Sequence, residues 1–170
     1  PCSAVEPGRA QHRVLPMDGT SAPRALIRTP AVEKDPAVSP NGRWIAYVSE
    51  RSGQREVYLD RFPETGQPER VSRNGGWAPR WAPDGRELSF FTQVARRIAS
   101  VSVDPDSGNR SPERLLIEGN YVGTDYGTDQ DGQRILVVKQ AGAPTEADAR
   151  NDIVIVQHWS DELQRLVPSR

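Results

Sequence analysis

The sequence is short of the residues that build cross-linked or metal-bound proteins. Its 170 residues hold one cysteine, Cys2. Neither an internal disulfide nor a cysteine-based metal cluster can form from it. The two histidines, His12 and His158, stand far apart and share no metal-ligand spacing. Lysine occurs twice against twenty arginines, which reads as solvated surface charge. The net charge is −1, which excludes a nucleic-acid binder that works by bulk attraction. No stretch reaches the ~18 consecutive apolar residues of a membrane-spanning helix. No charged segment followed by an apolar one opens the chain as a secretory signal would. The hydrophobic fraction is 35% and the mean hydropathy −0.67, but balanced charge meets only half of the signature of disorder.

Turn formers are plentiful, with 14 glycines and 15 prolines. Their placement is periodic. Ser39-Pro-Asn-Gly-Arg-Trp-Ile-Ala-Tyr-Val-Ser49 matches Ala82-Pro-Asp-Gly-Arg-Glu-Leu-Ser-Phe-Phe-Thr92, and Asp129-Gln-Asp-Gly-Gln-Arg-Ile-Leu-Val-Val-Lys139 is a third copy. The turn glycines Gly42, Gly85 and Gly132 are 43 and 47 residues apart. Proline presets φ at the second position of a turn, Asn or Asp suits the third, and glycine takes the left-handed position that follows. A second glycine turn recurs in each unit, Pro63-Glu-Thr-Gly66 and Asp104-Pro-Asp-Ser-Gly108, each followed by apolar residues.

The residues after each first turn are β-branched or aromatic. Trp44, Ala46 and Val48 alternate with Ile45, Tyr47 and Ser49, and both sets are largely apolar, which suits a strand buried on both faces. Leu88–Phe91 and Ile135–Val138 read the same way. Glu56–Phe62 and Ile98–Val103 are further strands. Each unit therefore holds four short strands at a period of ~40–45 residues, the pattern of a propeller blade. The innermost strands are expected at Asp35–Ser39, Ala78–Ala82 and Thr124–Thr128. Gln11–Leu15 and Ala25–Arg28 fit the outer half of an earlier blade. The expectation is an all-β, partial β-propeller of about three and a half four-stranded antiparallel blades with a short C-terminal helix. Its divisions are 1–30 (half blade), 31–73, 74–118, 119–158 (last, divergent blade) and 159–170 (helix and tail). The chain opens on Pro1 and is expected to be the C-terminal part of a longer parent.

The two Pro-Asn/Asp-Gly-Arg repeats resemble the TolB-type, WD-like propeller repeat of bacteria over about residues 12–157. The third copy departs, with Gln130 in place of proline and a long stretch, 140–151, between its strands. Asp152–His158 reads as a strand. Trp159, Leu163, Leu166 and Val167 then follow at helical spacing, with Ser160 as N-cap and Pro168 as stop. That tail resembles the one on TolB-type propellers fused to bacterial serine/threonine kinases. The resemblance implies a non-catalytic sensor or scaffold segment of a kinase-type parent. Alternatives are a periplasmic, TolB-like scaffold for envelope proteins and the gating propeller of a prolyl oligopeptidase-type serine peptidase. An extracytoplasmic address follows from the resemblance alone.

The candidate binding residues lie where innermost strands open onto a channel mouth: Lys34, Asp35, Trp77, Arg80, Thr124, Asp125 and Tyr126. Trp and Tyr supply rigid contact area with a polar handle, and Arg supplies forked donors. Trp81 is expected to pack between blades. Asp125, Asp129 and Asp131 lack the alternation of a calcium loop, since Gly127 takes the middle position, so no metal is expected. No nucleophile elbow, zincin, P-loop or dinucleotide fingerprint occurs, and no cofactor or catalytic residue is assigned. Partners expected are a protein or small ligand and the upstream blades of the parent, with no nucleic acid and no membrane insertion.

Overall fold

The computed structural model describes residues 12–19, 21–93, 97–118, 121–129 and 134–139. Within these residues the chain forms strands and no helix. β1 (His12–Val14) and β2 (Arg24–Ile27) make an antiparallel pair. β3 (Glu33–Val38), β4 (Trp44–Ser49), β5 (Glu56–Arg61) and β6 (Glu69–Arg70) form the first four-stranded sheet, in chain order. β7 (Gly76–Trp81), β8 (Glu87–Thr92), β9 (Ile98–Ser102) and β10 (Arg114–Ile117) form the second. β11 (Tyr121–Thr128) and β12 (Ile135–Lys139) make a final antiparallel pair. Successive four-stranded meanders flanked by half sheets are the architecture of a partial propeller. The strand expected at 152–158 and the helix expected over 159–170 lie outside the described residues.

The repeat turns are equivalent in space as well as in sequence. Gly42 N–H donates to Ser39 O at 2.8 Å, and Gly85 N–H donates to Ala82 O at 2.9 Å. Both glycines are left-handed, at φ 68° and 69°. The Asx side chains close the turns alike: Asn41 Oδ1 accepts Arg43 N–H at 3.0 Å, and Asp84 Oδ1 accepts Arg86 N–H at 2.9 Å. Ser39 N–H to Trp44 O and Ala82 N–H to Glu87 O, each 2.8 Å, start the following hairpins. Asp129 N–H to Arg134 O, at 3.0 Å, repeats that bond in the third copy.

The second turns are not equivalent. Between β5 and β6 the buried Asp60 carboxylate accepts Gly66 N–H at 2.8 Å and Gln67 N–H at 3.2 Å, and the Phe62–Pro63 peptide is cis. Between β9 and β10, Asp104 caps its own loop: its Oδ1 accepts Ser107 N–H at 2.7 Å and Gly108 N–H donates to its carbonyl at 2.8 Å. Similar glycine spacing therefore conceals two different loops.

Strand alternation distributes the core. All six residues of β4 are buried. Its even positions, Trp44 and Ala46, join Val57, Leu59 and Val71 against Leu88, Phe90, Ala99 and Val101 of the second sheet and Val103 just beyond β9. Its odd positions, Ile45 and Tyr47, pack with Tyr58 against Ile27 of the N-terminal pair. The second sheet repeats the scheme, with Phe91 and Ile98 turned to Tyr126 and, less deeply, Ile135 and Val137. Each four-stranded sheet is thus apolar on both faces because each is covered twice. Trp81 Nε1 donates to Ala37 O at 3.0 Å, tying the second sheet to the first strand of the preceding one.

Candidate functional site

The first strands of the sheets run beside one another, β3 with β7 and β7 with β11. Each of β3 and β7 contains an X-Pro step, Asp35-Pro36 and Ala78-Pro79. Proline cannot donate to a ladder, and within sheets it is confined to edges and bulges. The ladder is bulged at both steps. Lys34 and Ala37 face Val48 and Ala46, and Trp77 and Arg80 face Phe91 and Ser89, so each first strand carries one extra residue. Asp35 and Ala78 both sit at φ 50°, a left-handed conformation unusual for residues with a side chain.

Ala78 is the junction of three strands. Its N–H donates to Asp35 Oδ2 at 3.4 Å, and its carbonyl accepts the Tyr126 hydroxyl at 3.0 Å. Ser89 Oγ lies 3.0 Å from the same hydroxyl. Phe91 stacks on Trp77 with ring centroids 5.7 Å apart and meets Tyr126 edge-on at 5.1 Å. The Arg80 guanidinium is 5.9 Å from the Tyr126 ring centroid and donates to Pro79 O at 3.0 Å. The structure thus brings Asp35, Trp77, Arg80 and Tyr126 together, and Lys34 stands exposed beside Asp35. Tyr126 is buried, its hydroxyl and ring used in contacts with β7 and β8, and burial pushes its hydroxyl pKa up. Trp77 and Arg80 are half-buried. Thr124 and Asp125 lie on β11, but their side chains fall outside the described residues. The paired X-Pro steps, 43 residues apart, are the sequence signal for this junction.

Two further features lie off this rim. Between the β5–β6 and β9–β10 loops is a polar groove of about 790 Å³, lined among others by Arg61, Glu64, Gln67, Asn109 and Arg110. Arg61 covers the Trp44 ring at 4.8 Å, and Arg110 pairs with Glu69 at 2.7 Å across it. On the opposite face of the first sheet, Arg51 lies 4.7 Å over the Tyr58 ring, donates to Tyr47 Oη at 2.9 Å and faces Glu33 Oε1 at 3.5 Å. His12 meets Tyr47 edge-on at 5.7 Å, and burial lowers its pKa against the pull of Glu33 and Asp35.

Comparison with solved structures gives the same architecture. The chain superposes on a protein assigned as TolB from Agrobacterium tumefaciens with TM-score 0.54 and 17% identity, over 78% of this chain and 57% of that one. It superposes on TolB from Acinetobacter baumannii with TM-score 0.56 and 22% identity, over 72% and 30% of the two chains. The fold is that of a TolB-type β-propeller. In sequence, 122 residues are 26% identical to Dipeptidyl-peptidase 5 of Porphyromonas endodontalis. That match takes in 68% of this chain and 17% of the peptidase, so the chain spans about a sixth of that relative's length. No family model matches the chain.

Proposed function

We propose that the chain is a non-catalytic propeller segment that binds a protein or ligand at the rim formed by its first strands. The observation that carries this is the recurrence of a strained bulge at Asp35 and Ala78, each at φ 50°, in neighbouring first strands. Non-glycine residues persist in that conformation where the surroundings hold them, and such residues concentrate at functional sites. Lys34, Trp77 and Arg80 flank the two bulges and offer an ammonium, an aromatic face and a forked donor. A rigid sheet presenting such groups suits recognition.

The test is site-specific photocrosslinking in the full-length parent inside its own cells. A crosslinking residue at Lys34 or Trp77 is expected to capture a discrete partner, whereas one at Arg70 on the outer strand β6 captures none. Equal capture from both sets, or none from the rim, overturns the reading. The parent we favour is a kinase-type protein, from the tail pattern ending at Val167-Pro168, with a TolB-like envelope scaffold as the alternative.

The match to Dipeptidyl-peptidase 5 favours a second reading, in which this segment belongs to the propeller that controls access to a serine peptidase. The parent's coding sequence separates the three readings, through a kinase catalytic loop upstream, a signal segment alone, or a hydrolase domain downstream. Release of dipeptides by the purified parent supports the peptidase reading, and its absence with a hydrolase domain present removes it.

A further inference from the structure

The linker between β6 and β7 reads Val71-Ser72-Arg73-Asn74-Gly75, and one of only two Asn-Gly steps in the chain lies there; the other is Asn41-Gly42. Glycine after asparagine leaves the backbone nitrogen unshielded, so the asparagine carbonyl can close onto it. The two steps sit in opposite surroundings. At Asn41 both side-chain atoms are occupied: Oδ1 accepts Ser39 Oγ–H at 2.7 Å and Arg43 N–H at 3.0 Å, while Nδ2 donates to Pro105 O at 3.2 Å. Gly42 N–H is itself committed to Ser39 O at 2.8 Å. Asn74 is exposed, and its side chain has no hydrogen-bond partner among the described residues.

The fold fixes the glycine at this step. Gly75 has φ +82°, and a Cβ there would stand 2.4 Å from Gln93 Oε1. Its N–H donates to Glu56 Oε2 at 3.1 Å, a bond that must open before the nitrogen attacks, as the Gly42 N–H bond must at the other step, so the two steps differ in how the asparagine side chain is held.

We propose that Asn74 is a site of spontaneous deamidation. The Gly75 nitrogen loses its proton and bonds to Asn74 Cγ. The Cγ–Nδ2 bond breaks, and ammonia departs with that proton, leaving a five-membered succinimide. Water then opens the ring at either carbonyl, giving aspartate or isoaspartate. The net change is one water consumed and one ammonia released, with no oxidation or reduction. The product adds a negative charge close to two carboxylates, Glu56 and Glu113, the latter accepting Arg73 N–H at 3.2 Å. Isoaspartate also lengthens the main chain three residues before Trp77.

The experiment incubates the full chain in mildly alkaline buffer, folded and in urea. The two Asn-Gly peptides are followed by mass and by labelling with an isoaspartyl methyltransferase. In the folded chain Asn74 is expected to convert at least roughly tenfold faster than Asn41, the factor that giving up more than one hydrogen bond implies. In urea the two rates converge. N74Q loses the fast signal and keeps the slow one. Equal rates in the folded chain, or an Asn74 that reacts in urea alone, overturn the proposal.

Discussion

Gly108 lies under the Trp44 ring, where an added Cβ would come within 2.2 Å of a ring carbon. The ring has little room to yield, because Trp44 Nε1 donates to Pro105 O at 2.9 Å and Arg61 covers its face. Gly108 is also left-handed at φ +77°. Gly108→Ala therefore combines a backbone penalty with overpacking and is expected to cost about 3 kcal/mol. Gly42→Ala meets open space at φ +68°. It is expected to cost about 1 kcal/mol, the backbone share alone. Denaturant melts of the two variants check the difference. His12 gives a pH test. Its pKa is lowered from 6.5 by burial, so the unfolded chain takes up the proton first as pH falls. Stability is then lost on acidification below the ordinary histidine value, until the folded state protonates too. His12→Phe keeps an aromatic edge against Tyr47 and is expected to flatten that part of the stability–pH curve, read by urea midpoints across the range. An unchanged slope would mean that other groups carry it.

At the scale of the strand, much was legible. Proline, Asn or Asp, and glycine in sequence prescribe one turn, and Gly42 and Gly85 adopt it within a degree of one another. Two-sided apolar alternation in Trp44–Ser49 announced a strand covered on both faces. The bulges were hidden because Asp35-Pro36 and Ala78-Pro79 look like ordinary turn-adjacent prolines. Only the register shows that each adds a residue to a first strand. Tyr126 could be placed on an inner strand from its position, but not its burial, which depends on Phe91 and Ala78 arriving from another sheet. The buried carboxylates were equally illegible, since their partners lie in loops. Glu56 is fully buried and accepts Gln54 Nε2 at 2.5 Å, Gly75 N–H at 3.1 Å and the Ser72 hydroxyl. It thereby anchors the linker from the first sheet to the second. Glu56→Ala strands those donors and is expected to cost about 3 kcal/mol. It should also raise hydrogen exchange at residues 72–76 more than at the Gly42 turn. Uniform exchange in both places would show that the linker is held by other contacts.

Across the described residues, stability comes from stacking, since each of these sheets covers its neighbour and none of them is buried by itself. The clusters centred on Trp44 with Phe90, on Tyr47 with Tyr58, and on Phe91 with Tyr126 are the stacking interfaces. Among the described residues, β12 leaves apolar surface in water. On β12, Ile135 and Val137 turn to the second sheet, while the alternate residues Leu136 and Val138 are 80% and 55% exposed. Leu15 and Met17 are exposed in the turn after β1. An exposed strand face of this kind invites pairing between copies. Sedimentation velocity at rising concentration is therefore expected to show growing average mass for the 170-residue chain. Replacing Leu136 and Val138 together by lysine should hold that mass near the monomer value. Thermal stability should change little, because neither side chain supports the core. A native chain that stays monomeric throughout the series would mean that this face is already covered and does not mediate pairing.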